Sequence, residues 1–135
     1  MTKKDKELLL KDLCARLPYG IKIQDYQKLG EYALLKQVDF KRKQIAVETS
    51  IGSFEGIDFY KLEWSLPYLR PMSSMTEEEC EEMVKLHIDK RMIGKIEECD
   101  ASCIDFYNSH HLDYRGLIPM GLALEAPEGM YPIQL

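Results

Sequence analysis

Two adjacent histidines, His110 and His111, stand in the densest polar stretch of the chain, SCIDFYNSHHLDYRG from Ser102 to Gly116. Imidazoles, carboxylates and a guanidinium so close together could bind a metal, move a proton or hold an anion. The spacing narrows the choice. Neighbouring residues on a helix point about 100° apart, and on a strand they face opposite sides, so the two histidines cannot readily share one metal. A helical metal pair uses i,i+4 spacing instead. Cys99, Cys103 and His110 offer a second set, for zinc. A Cys-x-x-x-Cys step departs from the usual two-residue knuckle, and no metal and no cofactor are expected. Cys103 with His110 and Asp113 has the residue types of a thiol nucleophile, its base and an orienting acid. No nucleophile elbow or oxyanion loop accompanies them.

The structural reading of the same residues is simpler. Asp113 can cap a helix start, and Arg115 can pair with Asp105 or Asp113. His110, His111, Asp113, Tyr114 and Arg115 then form a clasp that orders the segment, with one histidine packed inward and the other exposed. A second candidate surface is the basic run Lys41-Arg42-Lys43. It falls on a polar connection between two strands and is read as a solvated turn, with nucleic-acid contact as the alternative.

The elements that must position these residues follow from periodicity. Leu9, Leu10, Leu13, Cys14 and Leu17 recur at three- and four-residue spacing and predict a helix over 4–17, with Asp12 and Arg16 largely outside the apolar stripe. Pro18 and Gly20 stop it. From Ile21 the pattern changes to period two, with strands at 32–38 and 44–49 joined by a hairpin at 40–43. Residues 51–56 are a glycine-rich turn, and 57–64 a further strand, with a helical segment as the alternative. Pro67 and Pro71 favour an extended connection. Thr76 with Glu79 fits a capping box and sets three carboxylates, Glu77 to Glu79, in the first turn of a helix running to about Met92. Gly94 ends that helix, a loop covers 95–101, and a further helix starts at Ser102. Asp113 caps a further short helix through Ile118, Leu122 to Leu124 form a short strand, and the tail is partly loose.

The expected fold class is α+β: an N-terminal helix, a small antiparallel sheet or SH3-like barrel over about 21–66, then a helical C-terminal part. The 135 residues make one domain, with helix and sheet in 1–70 and helices in 71–135. With 45% hydrophobic and 30% charged residues the chain can bury a core. A net charge of −5 argues against a general grip on nucleic-acid phosphates. The four cysteines lack framework spacing, so four free thiols in a reducing, cytoplasmic setting are expected. No leader-like start and no run of about 20 apolar residues is present, so no membrane association is expected. No P-loop or G-x-G-x-x-G pattern supports nucleotide binding.

Four runs carry a resemblance. They are LLLKDLCARLPYG from Leu8, PYLRPMSSMTEEE from Pro67, NSHHLDYRGLI from Asn108 and GLALEAP from Gly121. Together they resemble a group of small proteins encoded by prophages and mobile elements of gut anaerobic bacteria. The resemblance covers both ends and not residues 25–64. It implies a bacterial or phage cytoplasmic setting and transfers no activity to any residue. The expected function is therefore that of a non-catalytic accessory protein whose partner is another protein, with the methionines of the helix after Thr76 as an adaptable surface. The alternatives are nucleic-acid association through Lys41, Arg42 and Lys43, and a small enzyme or metal site around His110, Asp113 and Arg115.

Overall fold

The computed structural model describes residues 1–25, 31–86 and 100–132. It is an α+β fold with an N-terminal helix, a four-stranded antiparallel sheet and later helices. Helix α1 (Lys3–Arg16) opens with a capping box, in which Thr2 Oγ1 accepts from the Asp5 N–H and Asp5 Oδ2 from the Thr2 N–H, both at 3.1 Å. Fourteen residues are marginal as an isolated helix, so packing must hold it. Leu9, Leu10 and Leu13 provide that packing. The stripe differs from the periodic expectation at three places: Asp12 and Arg16 are fully buried, while Cys14 is exposed. Residues 9, 12, 13 and 16 are the same helix face, and the two charges sit on it as a pair.

Strands β1 (Lys22–Gln24), β2 (Tyr32–Asp39), β3 (Gln44–Glu48) and β4 (Phe54–Asp58) pair in chain order, all antiparallel. The end strands β1 and β4 do not pair with each other, so this is an open sheet and not a closed barrel. Lys36 is an extra residue in a bulge of β2. The bulge resets the alternation, so that Ala33 and Leu35 before it and Val38 after it all face inward. With Ile23, Ile45, Val47 and Ile57 they make the sheet's inner face, against which α1 packs. Each fully buried Leu or Ile there contributes roughly 1.5–3 kcal/mol. Segment 57–64 is not the expected strand. β4 ends at Asp58, and Phe59–Trp64 coil into a 3-10 segment that buries Leu62.

The chain then runs back beside β1. Gln24 N–H donates to Leu66 O at 2.9 Å, and Ile23 bridges Pro67. Tyr68–Leu69 form β5, which pairs in parallel with β6 (Leu124–Glu125). Arg70 bridges Leu112, with Arg70 N–H donating to His111 O at 2.7 Å and Asp113 N–H to Arg70 O at 2.8 Å. Four consecutive residues, 67–70, thus seam the sheet to the C-terminal third.

Helix α2 (Glu77–Lys85) starts at the expected Thr76 capping box. It ends at Lys85 with Leu86 as its C-cap, short of the expected Met92; the stop at Gly94 and the start of the following loop lie outside the described residues. Helix α3 (Ala101–Ser109) is capped two residues earlier than expected, because Asp100, not Ser102, is the cap and accepts from the Cys103 N–H at 3.0 Å. A second core joins the two helices through Met83, Cys103, Phe106, Tyr107, Leu112 and Tyr114. Met83 is fully buried there and offers no surface. The short helix expected after Asp113 does not form; residues 114–122 run through turns and a bend. Cys14 and Cys80 are free thiols, whereas Cys103 is disulfide-bonded, which corrects the expectation of four free thiols. No helix among the described residues is long and apolar enough to cross a membrane.

Candidate functional site

Helix α3 ends at His110, and His111 turns the chain with a left-handed φ of 60°. A side chain rarely holds that conformation without help from its surroundings. Here the His111 ring stacks on Tyr131, centroids 3.9 Å apart. Burial holds the imidazole pKa down at about 4, aided by the positive charges of Arg16, His110, Arg70 and Lys22. His111 is therefore neutral near pH 7. His110 lies over Phe106 at 4.0 Å, and its Nδ1 is 2.9 Å from the Phe106 carbonyl and 3.0 Å from the Ser109 hydroxyl. The two imidazoles serve different partners, as their adjacency requires.

Asp113 spends both carboxylate oxygens on backbone, accepting from the Leu117 N–H at 2.8 Å and the Ile118 N–H at 2.9 Å. It caps the following turns without pairing with an arginine. Arg115 does not meet Asp105 or Asp113; its Nε donates to Asp12 Oδ1 on α1 at 3.1 Å. The other Asp12 oxygen accepts from Arg16 Nε at 2.8 Å, and Arg16 Nη2 donates to Leu112 O at 2.7 Å. The Tyr114 ring contacts both guanidiniums, with Arg16 Cζ at 5.2 Å and Arg115 Cζ at 4.9 Å from its centroid. The clasp thus joins the C-terminal segment to the first helix of the chain.

A second clamp lies at the seam. Arg70 grips Glu79 with two parallel bonds of 2.8 and 2.7 Å. It also donates to the Ser74 and His110 carbonyls. Burial alone would raise the Glu79 pKa, but the bonds and charge of Arg70 and the Thr76 N–H hold it below the usual carboxylate value. Tyr131 forms a third tie. Its hydroxyl donates to Tyr68 O at 2.8 Å and accepts from the Lys22 N–H at 2.9 Å, while Lys22 Nζ donates to Met130 O. Met130 and Tyr131, in the tail expected to be partly loose, are anchored there; residues 133–135 lie outside the described residues. Burial pushes the Tyr131 phenol well above its usual pKa.

These placements separate the residues an active site would need to gather. His110 turns to Phe106, Asp113 to backbone amides and Arg115 to Asp12. The nucleophile reading needs a Cys103 thiolate, and that sulfur is in a disulfide. Among the described residues no three His, Cys, Asp or Glu side chains gather as a metal site; Cys99 of the zinc reading lies outside them. A cavity of about 310 Å³ is lined by Tyr19, Arg70, Ser109, His110, His111 and Tyr131, with Pro132 at its edge. Its Arg70 is already committed to Glu79.

At the other candidate, Lys41, Arg42 and Lys43 are exposed at the β2–β3 hairpin tip. Asp39 Oδ1 accepts from the Lys41 and Arg42 N–H groups at 3.0 Å, and its other oxygen lies 3.9 Å from Arg42 Nε. The basic tip is thus built around a carboxylate.

The surface that sequence reasoning missed is the edge of β4. The bonds Thr49 N–H to Ser53 O and Phe59 N–H to Lys43 O mark 49/53 and 43/59 as hydrogen-bonded pairs. Antiparallel alternation then makes 45/57 and 47/55 hydrogen-bonded, and 44/58, 46/56 and 48/54 not. Phe54, Gly56 and Asp58 therefore turn their N–H and C=O groups away from β3, and β4 is the last strand of its sheet among the described residues. Large apolar side chains flank this edge. Ile51 is 73% exposed and Phe54 69% at one end; Tyr60, 64% exposed, lies beyond the other, next to the Phe40–Phe59 ring pair. The only sequence signal was the alternation of Phe54, Gly56 and Asp58 with Glu55 and Ile57. Comparison with protein-family models, curated proteins and solved structures finds no match.

Proposed function

We propose that this chain is a non-catalytic interaction protein, of the accessory kind found in phages and mobile elements, which binds a protein strand along the β4 edge. The carrying observation is that edge, with three outward-facing residues and apolar side chains exposed at both ends. Natural edge strands are usually blunted by lysine, proline or a bulge. β4 has none of these, although Glu55 and Asp58 put two carboxylates on it, and its bulge-free register leaves five residues in line. Strand addition supplies main-chain hydrogen bonds for affinity and side-chain contacts for specificity. Asp113 and Arg115 support the same reading, because both are engaged in holding the fold together, although His111 Nδ1 and the Tyr114 hydroxyl are buried without a hydrogen-bond partner.

A photo-crosslinking amino acid at Phe54 tests this. A protein adduct is expected from Phe54 and none from the same probe at the exposed helix position Lys11. Absence of any protein adduct at Phe54 overturns the reading.

A further inference from the structure

We infer that the β2–β3 hairpin tip and the start of the 3-10 segment bind single-stranded nucleic acid, through Lys41, Arg42, Lys43 and Lys61 and the rings of Phe40 and Tyr60. Neither this surface nor its ligand depends on strand binding at the β4 edge. The run Lys41-Arg42-Lys43 alone reads as a solvated turn. The fold changes its surroundings. Phe59 N–H donates to Lys43 O at 2.9 Å, which brings Phe59, Tyr60 and Lys61 against the tip. The Phe59 ring meets Phe40 edge-on, centroids 5.7 Å apart, and Lys61 Nζ lies 5.7 Å from the centroid of the Tyr60 ring. Four cations and two exposed rings thereby share one end of the sheet. Phe40 is 59% exposed, Tyr60 64% and the Arg42 side chain 80%.

The carboxylates at this end are engaged elsewhere. Asp58 Oδ1 accepts from Gln44 Nε2 at 2.9 Å, Glu63 faces the N-terminal ammonium at 3.9 Å, and Asp39 Oδ1 accepts from two hairpin amides. The other Asp39 oxygen lies 3.9 Å from Arg42 Nε. Lys41, Lys43 and Lys61 have no acidic partner among the described residues. A chain of net charge −5 thus gathers unpaired cations at one place, which is a local grip on phosphates and not a general one. The rings select the kind of polyanion. Unpaired bases stack on aromatic faces, whereas bases inside a duplex are already stacked on each other. An anionic lipid surface would need a broader apolar face to bury, and Ile51, 73% exposed, lies at the opposite end of β4.

Anisotropy of a dye-labelled oligothymidylate, titrated with the full chain over a range of salt, tests this. Affinity should fall with salt on a log–log slope no steeper than about −2.8, from about −0.7 for each of four phosphates. Lys41→Gln should make that slope shallower by about 0.7. Tyr60→Ala should weaken binding about fivefold or more at every salt concentration and leave the slope unchanged. Both positions are exposed, so both variants should melt like wild type. Lys11→Gln, exposed on α1, should bind as wild type does. No binding at low salt overturns the inference, as does an equal loss from Lys11→Gln and Lys41→Gln. Tyr60→Ala binding as tightly as wild type overturns it, and so does equal affinity for the duplex with oligoadenylate. Binding to phosphatidylserine vesicles without binding to the oligonucleotide overturns it in favour of a lipid surface.

Discussion

Arg115 donates to Asp12 at 3.1 Å although 103 residues separate them, and Asp12 is shared with Arg16 on its own helix. The Asp12 and Arg16 side chains are wholly buried. Removing one partner of a buried ion pair costs about 3–5 kcal/mol, because the other charge is left unpaired. Asp12→Ala should therefore lower stability by about that amount in urea unfolding. Arg115→Ala should cost about 1.5 kcal/mol, since Arg16 remains to pair Asp12. Equal losses from the two variants would show that the shared carboxylate is not the centre of the clasp.

Glu79 gives a pH signature. Its pKa is lowered from 4.5 in the folded state. The stabilisation from its ion pair is therefore present above that pH and is lost as pH falls through the folded value. Glu79→Gln should be less stable than wild type by about 3 kcal/mol at neutral pH. The gap between them should shrink on acidification below 4.5, measured by denaturant midpoints in parallel.

His111 acts over a different window. Its folded pKa of about 4 lies below the ordinary 6.5. Between these values the unfolded chain binds a proton that the folded chain refuses, so stability falls as pH drops from 6.5 and levels off near 4. His111→Asn tolerates the left-handed backbone and should remove that slope. An unchanged slope in thermal melts across this range would assign it to another group.

Tyr131 closes the tail over β1 and β5. Tyr131→Phe keeps the stack on His111 but leaves the Lys22 N–H and the Tyr68 carbonyl without the hydroxyl. A loss of about 1–3 kcal/mol is expected. Hydrogen exchange at the Lys22 amide should accelerate more than at the sheet centre. Uniform acceleration would mean the hydroxyl supports the whole fold equally.

Much of the fold was legible because its signals are local. The period-two run around the 40–43 hairpin and the Thr76–Glu79 capping box each depend on residues within a few positions of one another. Segment 57–64 was misread because its apolar residues fit a strand or a tight helix equally well. The start of α3 was misread because Asp100 and Ser102 are both competent caps. Asp12 and Arg16 were assigned to the surface on polarity, although they share the face of Leu9 and Leu13. Their burial depends on Arg115 and the Leu112 carbonyl, which no local pattern connects to α1. The same holds for Arg70 with Glu79 and for Tyr131 with Lys22. The β4 edge was illegible for the opposite reason: a strand's place in its sheet follows from the pairing of every other strand.

The clasp also sets an order of events during synthesis. Arg16 Nη2 finds its carbonyl acceptor 96 residues later in the chain. At about 5–20 residues per second the ribosome delivers that carbonyl roughly 5–20 s after the helix itself. Until then α1 carries a buried-type ion pair with no acceptor, and β5 lacks its parallel neighbour. The nascent N-terminal half therefore waits, incompletely closed and with its β4 edge exposed, for the residues that lock it.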